Sequence, residues 1–184
     1  MSDFRPYRFS PITTKEGLLE VIGHIHFSCY GLCKQSFGYY LPNAGNMGVF
    51  CHYDDEFEIL KKIRNEMTEN SDNPDLKYFT LREPITIPAK GDIPEMTYTH
   101  LYIRKPDPYR YQTGDVDFYL DKSDYEKLKQ EMLNGEIVTG ARIFERPDLD
   151  MIELYNPDID ALGYISTNTM AEKVRIKLSD ATKL

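Results

Sequence analysis

Histidine and glutamate side chains give this sequence its clearest potential for chemistry. Two of the four histidines, His24 and His26, alternate with apolar residues in the run V-I-G-H-I-H-F-S-C. Farther along the chain, His100 and Glu153 occupy matching places in two similar tripeptides, H-L-Y and E-L-Y. Imidazole nitrogens combined with a carboxylate suit Zn, Fe, Mn or Ni. These four residues are therefore candidate ligands of a divalent metal.

Tyrosines and arginines follow the same two places. Tyr102 and Tyr155 each stand two positions beyond a candidate ligand, so they would face the same cleft as wall or proton-transfer groups. The basic and aromatic stretch R-K-P-D-P-Y-R runs from Arg104 to Arg110 and could hold an anionic group of a substrate. The alternative is a plain surface connection.

Other interpretations of these residues stay open. The two neighbouring histidines could line a solvated sheet face, and His100 could hydrogen-bond a tyrosine. A cluster of aspartates could bind a hard cation, but no spaced calcium loop is present, so a solvated strand edge is the expected setting of Asp115, Asp117 and Asp121. The sequence also lacks a phosphate-binding loop and a serine-hydrolase elbow.

Composition limits the classes of partner. The chain has 184 residues, of which 41% are hydrophobic and 28% charged, as in soluble globular proteins. The net charge of -8 disfavours a nucleic-acid partner. No apolar run approaches the roughly 20 residues that span a bilayer, and the start of the chain lacks a signal core, so we expect no membrane partner and a cytoplasmic location.

Hydrophobic periodicity predicts the elements that must position these residues. Period-2 alternation predicts a first strand at 21–29 and further strands at 47–53, 97–104, 115–120 and 161–166. Apolar residues at helical spacing predict helices at 54–67 and 121–133. Two short strands or one bent strand are expected between 78 and 88, and two more strands on either side of a turn at 146–148.

The chain also resembles itself. The motif F-E-x-L-K at 57–61 aligns with Y-E-x-L-K at 125–129 at an offset of 68, and the H-L-Y and E-L-Y tripeptides align at an offset of 53. The order of elements around both motifs predicts two β-α-β-β-β modules. We therefore divide the chain into an arm and first strand (1–44), module 1 (45–113), module 2 (114–166) and a tail (167–184), packed as one compact domain.

The segment A-R-I-F-E-R-P-D-L-D-M-I-E-L, residues 141–154, resembles the end of a module in the vicinal oxygen chelate superfamily. That superfamily includes glyoxalases, extradiol dioxygenases and antibiotic-resistance proteins. Its modules end in a strand, a Pro-Asp-Gly-Asn-like turn and a strand whose Glu is usually a metal ligand, matching Glu153. The run G-H-I-H-F resembles the opening strand of such modules, and His24 then matches the ligand. Leu149 departs from the turn glycine.

The resemblance implies an α+β fold in which the paired modules form a curved mixed sheet around a cleft, with an extra N-terminal strand. It implies a metal-dependent enzyme of the lyase, isomerase or dioxygenase class acting on a small-molecule substrate. A metal-free protein that binds or sequesters a ligand on the same fold stays open, as does an interaction protein without a working pocket. We expect a homodimer, because edge strands at 161–166 or 21–29 would otherwise leave backbone groups unpaired.

Overall fold

Seven strands form one mixed sheet in the computed structural model of the chain, which describes residues 7–147, 149–173 and 175. In chain order the strands are β1 (Asn43–Phe50), β2 (Phe79–Ile87), β3 (Met96–Arg104), β4 (Gly114–Leu120), β5 (Ala141–Arg146), β6 (Leu149–Leu154) and β7 (Ala161–Thr167). The helices are α1 (Lys15–Phe37), α2 (Asp54–Met67), α3 (Lys122–Leu133) and α4 (Asn168–Lys173). The strand order across the sheet is β2-β3-β1-β4-β7-β6-β5. The predicted α+β class with a curved mixed sheet is confirmed.

Two modules meet at the centre of the sheet. Strands β1 and β4 pair antiparallel there, and each begins a module. In both modules a helix follows the first strand, and the last strand returns parallel to the first, as β3 does to β1 and β7 to β4. This arrangement makes β1 the counterpart of β4, α2 of α3, β3 of β7 and β2 of β6.

The two modules are not equal in strand number. Module 2 is a complete β-α-β-β-β unit, whereas module 1 is β-α-β-β, because β5 has no counterpart among the described residues of module 1. The expected equivalence of His100 and Glu153 is therefore wrong. His100 lies on β3, which corresponds to β7, while Glu153 lies on β6. The matched tripeptides were aligned one strand out of step.

The predicted strand at 21–29 is also wrong, because these residues lie in the middle of helix α1. Leu18, Ile22, Ile25, Cys29 and Leu32 are all buried, and their spacing of three and four residues is that of a helical stripe. The alternation around the two histidines spans too few residues to reveal this longer period. An extra N-terminal strand is thus replaced by a helix of 23 residues.

Local signals fix both ends of α1. The side chain of Thr14 accepts a hydrogen bond from the Gly17 N–H at 3.1 Å and caps the first turn. Gly38 ends the helix in the left-handed region, with φ of 76°, and its N–H donates to the Lys34 carbonyl. The glycine-rich segment that follows Tyr30 therefore belongs largely to the helix and its cap, and β1 begins only at Asn43.

Helices α1, α2 and α3 cover one face of the sheet, which we call the helical face. Met47 of β1 and Val116 of β4 are buried in the same apolar cluster as Leu60 of α2 and Tyr125 of α3. Both of the helices predicted at 54–67 and 121–133 thus pack on the same side of the sheet. Leu60 is fully buried, while Leu128 is only partly buried at the margin of this cluster.

The opposite face, which we call the concave face, carries α4 and a second apolar cluster. Phe50, Met151, Leu162 and Tyr164 form that cluster. The amide of Asn46 donates to the Ala171 carbonyl and so attaches α4 to β1. Among the described residues, no helix is both long and apolar enough to cross a bilayer.

The free edges of the sheet differ from those expected. Strand β7 lies between β4 and β6, so residues 161–166 are not an edge, and 21–29 is helical. The outermost strands are β2 and β5. Residues 1–6 of the predicted arm, Asp148 of the predicted turn, and residue 174 and the residues beyond 175 in the tail lie outside the described part of the chain.

Candidate functional site

Strand β4 places two carboxylates in the interior of the protein. Asp115 and Asp117 alternate with Val116 and Phe118, whose side chains face the helices. The aspartates therefore lie on the concave face. Their exposed fractions are 7% for Asp115 and 3% for Asp117. The expectation that they belong to a solvated strand edge is wrong, because β4 is a central strand and its concave side is covered.

Strand β1 places a different neighbour beside each of the two carboxylates. Asn46 donates from its Nδ2 to Asp117 Oδ2 at 2.7 Å. Gly48 is the antiparallel partner of Asp115, and a Cβ built on this glycine would collide with Asp115 Oδ1 and stand 3.0 Å from its Cγ. The Asp115 carboxyl thus occupies the space that a side chain would fill. Its Oδ1 has no hydrogen-bond partner among the described residues.

Burial and mutual repulsion favour the protonated form of these acids. Burial raises the pKa of Asp115 well above its ordinary value, and the nearby charges of Asp117 and Glu153 raise it further. Burial also raises the pKa of Asp117, to about 6, although the Asn46 hydrogen bond and Arg175 oppose the shift. These shifts favour the protonated form of Asp115 more strongly than that of Asp117, which is largely ionised at neutral pH.

Two arginines act on Asp115, Arg104 from the end of β3 and Arg110 from the segment that follows it. Arg104 and Arg110 both lower the pKa of Asp115, but they do not overcome burial. Arg104 donates to Asp107 at 2.7 Å and lies over the Phe50 ring at 4.8 Å. Arg110 reaches Glu153 only at 3.4 Å, so most of its donors remain available to a ligand.

Glu153 is fully buried, and both of its oxygens have partners. Arg142 donates to Oε1 through Nε at 2.7 Å and through Nη2, while Tyr164 donates to Oε2 at 2.9 Å. Arg110 makes its long contact to the same oxygen. A carboxylate engaged in this way serves to hold two arginines and a tyrosine in position.

The two candidate proton-transfer tyrosines lie in different surroundings. Tyr102 is aligned with Gly48 on the adjacent strand and packs against the Tyr78 ring at 5.4 Å. Burial raises the pKa of Tyr102, and the nearby Asp115 raises it further. Tyr155 follows β6 and lies under the Arg142 guanidinium, 4.3 Å from its ring centroid. The structure therefore brings Tyr102, but not Tyr155, into the neighbourhood of Asp115.

The candidate metal ligands do not fit a shared metal ion. His24 and His26 lie on α1, on the helical face, where His24 Nε2 is 2.6 Å from Asp160 and His26 Nδ1 is 2.8 Å from the Tyr98 hydroxyl. Their separation by two positions turns them to nearly opposite sides of the helix. They therefore share no face with each other or with Glu153.

His100 and Glu153 are also too far apart. Three strands lie between β3 and β6, which corresponds to about 19 Å measured along the sheet. His100 hydrogen-bonds Thr99 at 2.9 Å, and burial lowers its pKa to about 4. Within the part of the chain that the structure describes, no three His, Cys, Asp or Glu side chains converge as a metal would require. No step of a mechanism is therefore assigned to a metal.

Several residues of the concave face were not selected from the sequence. These are Asn46, Gly48, Tyr78, Asp115, Asp117, Arg142 and Tyr164. One usable signal was the alternation D-V-D-F in a strand at the start of a module. In a sheet with a covered cleft, the polar positions of a central strand line that cleft rather than the solvent.

Comparison with known proteins places the chain by its fold. No protein-family model matches the sequence, and no curated protein sequence matches it. A solved structure described as structural-genomics protein EC4020 superposes with a TM-score of 0.59 and 14% sequence identity, covering 90% of this chain and 96% of that protein. At this identity the likeness shows a common fold and nothing about activity.

Two further solved structures overlap less well. A glutamate-to-glutamine variant of Streptomyces coelicolor methylmalonyl-CoA epimerase, in complex with 2-nitronate-propionyl-CoA, covers 69% of this chain and 99% of its own, with 13% identity and a TM-score of 0.30. Methylmalonyl-CoA epimerase with methylmalonyl-CoA and NH4+ covers 69% and 96%, with the same identity and score. A TM-score of 0.30 is too low to indicate a common fold, so these overlaps say nothing about the chemistry of this chain.

Proposed function

We propose that the protein is a small-molecule enzyme of the vicinal oxygen chelate type in which the concave face performs proton transfer, with Asp115 as the proton-bearing group. The supporting observation is the setting of this carboxyl. It is more than nine-tenths buried, and one oxygen has no hydrogen-bond partner among the described residues. Buried polar atoms normally find partners, so a carboxyl whose Oδ1 is held against Gly48 without one is kept at a cost in stability, as functional groups are, and its Oδ2 is the oxygen left to meet a ligand.

A protonated carboxyl can replace the role that the family resemblance gives to a metal. A metal polarises an oxygen of the substrate and stabilises the negative charge that develops on it. A neutral carboxylic acid in a buried site does the same by donating a hydrogen bond to that oxygen. The raised pKa of Asp115 keeps the acid neutral for this purpose at neutral pH.

The arginines indicate which substrates fit. Arg104 is paired with Asp107, and Arg142 with Glu153, whereas Arg110 has only the 3.4 Å contact. Arg110 is thus the cation with most unused capacity, and its exposed side-chain fraction of 18% allows a ligand to approach it. The proposed substrate is a small molecule that carries a carboxylate, bound by Arg110 with help from Arg104, and a nearby carbonyl oxygen directed at Asp115.

Tyr102 is the proposed second proton-transfer group, because Asp115 influences its pKa and the two residues lie on adjacent parts of the concave face. Tyr155 is assigned to the wall of the site beneath Arg142. In the proposed reaction, the carbon beside the substrate's carbonyl group gives a proton to the ionised carboxylate of Asp117, while Asp115 hydrogen-bonds the resulting enolate oxygen. Return of a proton to the same carbon completes the exchange and leaves every group as it began.

Exchange of substrate hydrogen with solvent deuterium tests this proposal without knowledge of the natural substrate. Pyruvate, oxaloacetate and 2-oxoglutarate serve as probes, and ¹H NMR in D₂O follows loss of the signal beside the carbonyl. We expect the wild type to accelerate exchange of at least one probe and the Asp115→Ala variant, which removes the hydrogen-bond donor, to lose that acceleration. Acceleration that survives Asp115→Ala, or none by the wild type with any probe, would contradict the proposal.

Metal dependence stays a prediction that the same assay addresses. Exchange is measured after chelation and again after addition of Zn²⁺, Fe²⁺, Mn²⁺ or Ni²⁺. We expect no metal-dependent change, since the candidate ligands do not converge among the described residues. Restoration of activity by one metal alone would instead support the metal-dependent form of the hypothesis.

A metal-free ligand-binding or sequestering protein is the second candidate. The burial of Asp115 favours it, because a sequestered ligand would be shielded from water. Saturation-transfer NMR that detects binding of a probe without hydrogen exchange would favour this function over the enzyme. The homodimer, the cytoplasmic location and the absence of nucleic-acid and membrane partners stay predictions.

A further inference from the structure

Asn46 and Gly48 lie two residues apart on β1 and face the two carboxylates of β4. Alternate residues of a strand share one face, so both project toward the concave side. Asn46 donates to Asp117, and Gly48 is the cross-strand partner of Asp115. Strand β1 therefore places a hydrogen-bond donor beside Asp117 and a residue without a side chain beside Asp115.

We propose that Asn46 and Gly48 are positioning residues that give the two aspartates different tasks. Asn46 holds Asp117 as a hydrogen-bond acceptor, and Gly48 leaves the space that Asp115 Oδ1 fills, so that the carboxyl is held with its other oxygen, Oδ2, toward the cleft. The assignment of a substrate to Asp115 rests on the proposed function. The unequal support of the two carboxyls does not.

Close approach is the reason for glycine at position 48. Gly48 is not among the glycines with positive φ, so its backbone conformation is open to other residues. A Cβ there would instead overlap Asp115 Oδ1 and press on Cγ. The methyl group of an alanine would displace the carboxyl from the strand toward the side-chain layer, where the guanidinium groups of Arg104 and Arg110 act on it.

Asn46 is fixed on both sides, which determines the direction of its amide. Its Nδ2 donates to Asp117 and to the Ala171 carbonyl, at 2.7 and 3.2 Å. Its Oδ1 accepts from Arg175 Nε at 2.6 Å. Rotation of the amide by half a turn would oppose donor to donor and acceptor to acceptor, so the donor is directed at Asp117.

The titration of this pair depends on groups from several elements. Those that face Asp115 are Asp117 on the same strand, Arg104, Arg110 and Glu153, and those that face Asp117 are Asn46 and Arg175. The hydroxyls of Tyr78, Tyr102 and Tyr164 lie close enough to respond to Asp115. A test must therefore follow each carboxyl separately.

The first measurement is ¹³C NMR titration of the Asp115 and Asp117 carboxyl carbons in the ligand-free protein. We expect Asn46→Ala to raise the midpoint of Asp117 by about one pH unit, the scale of a lost hydrogen bond to a carboxylate. We expect Gly48→Ala to lower the midpoint of Asp115, as the carboxyl moves toward the arginines. Gly31→Ala is the matched control, because its added Cβ meets nothing within 4 Å.

A thermal-melting cycle covers the case in which Gly48→Ala folds poorly. Gly48→Ala is compared in the wild type and in an Asp115→Ala background. We expect a large fall in Tm only when Asp115 is present, because the clash involves its carboxyl. An equal fall in both backgrounds would show that Gly48 serves the backbone and would overturn its assignment.

Hydrogen exchange of a probe that the wild type accelerates then tests whether the placement of the two carboxyls affects the reaction. We expect Gly48→Ala and Asn46→Ala to slow exchange by at least about tenfold, the scale of a misplaced proton-transfer group. The pH profile should shift by the same amount as the NMR midpoints. Unchanged midpoints in both variants overturn the positioning role whatever the activity. Shifted midpoints without wild-type exchange uphold the positioning role and reject the proposed function.

Discussion

Glu56 and Asp115 are both buried carboxylates, but the protein surrounds them in opposite ways. Glu56 lies in the first turn of α2, fully excluded from solvent. Its Oε1 accepts the Ile12 N–H at 2.8 Å, and its Oε2 accepts the N–H groups of His52 and Tyr53 at 2.7 and 3.3 Å. Asp115 is almost as deeply buried, yet its Oδ1 lacks a partner among the described residues.

The difference separates a carboxylate that holds the fold together from one that is kept ready for a ligand. Glu56 accepts hydrogen bonds from backbone donors of the N-terminal segment and of the connection between β1 and α2, so its burial is compensated. Asp115 lies near the acids Asp117 and Glu153, and its Oδ1 has no hydrogen-bond donor among the described residues, an arrangement that costs stability. Such a cost is typical of functional sites.

The largest expected effect is the loss of Glu56. Glu56→Ala would leave three backbone N–H groups without their acceptor, and each orphaned buried donor costs about 1–3 kcal/mol. We therefore expect a loss of about 3 kcal/mol or more in the free energy of unfolding, measured by urea denaturation. Glu58→Ala is the control, because Glu58 lies on the same helix, exposed and paired only with Lys61. Equal losses in the two variants would contradict the structural role of Glu56.

A smaller loss in the free energy of unfolding is expected for Glu153→Ala, because Glu153 binds side chains rather than the three backbone N–H groups that Glu56 binds. The variant would leave the buried Tyr164 hydroxyl without its acceptor, but Arg142 is half exposed and can turn to water. We expect a loss of about 1–3 kcal/mol, mainly from the orphaned hydroxyl. Tyr164→Phe in the same background should recover part of it. No recovery would place the cost at the arginines instead.

The sequence predicted the elements in which the hydrophobic pattern repeats regularly over many residues. The helical stripe of Phe57, Leu60 and Ile63 and the alternation of β4 each extend over enough residues to define a period. The alternation in α1 failed because a five-residue window around His24 fits both periods. Only the longer stripe from Leu18 to Leu32 distinguishes them.

The candidate site could be predicted only in part, because it depends on pairing between distant strands. The sequence identified Arg104, Arg110, Tyr102 and Glu153, and these residues do lie on the concave face. Nothing local shows that Gly48 is opposite Asp115, since that contact requires the register of β1 against β4. Module 1 has one strand fewer than module 2, so the alignment of the two tripeptides likewise assigned the wrong counterpart to Glu153.

Asp115→Asn should stabilise the folded protein, whereas Glu56→Ala and Glu153→Ala should destabilise it. The pKa of Asp115 is raised in the folded state, so the folded protein holds a proton that the unfolded chain releases. The associated stability is full below the unfolded pKa of about 4 and is lost as pH rises. We expect Asp115→Asn to be more stable than wild type near pH 7.5, by more than Asp117→Asn because Asp115 Oδ1 has no hydrogen bond to lose among the described residues, and to show no such gain near pH 4.

Thermal melting at both pH values checks the expected gain. The comparison must be variant minus wild type, because His26 and His100 act in the opposite direction. Burial lowers the pKa of both histidines to about 4, so their contribution to stability grows as pH rises toward 6.5. These histidines cancel in the difference. A variant that is less stable than wild type near pH 7.5 would mean that Asp115 is a structural acid like Glu56.

Asp117→Asn should change stability least. Asp117 has a raised pKa, as Asp115 does, but it also accepts a hydrogen bond, as Glu56 does. The folded protein keeps the Asp117 proton up to about pH 6, whereas the unfolded chain releases it near 4, so the wild type loses stability as pH rises through that window. Two pH units correspond to about 3 kcal/mol that the amide would recover. However, the Asn46 hydrogen bond would then reach a neutral acceptor, which returns about 1–2 kcal/mol of that gain. We expect a net gain of about 1–2 kcal/mol near pH 7.5, seen as a Tm shift smaller than that of Asp115→Asn. If Asp117→Asn gave the larger shift, Asn46 would not be supporting Asp117, and the distinction between the two aspartates would fail.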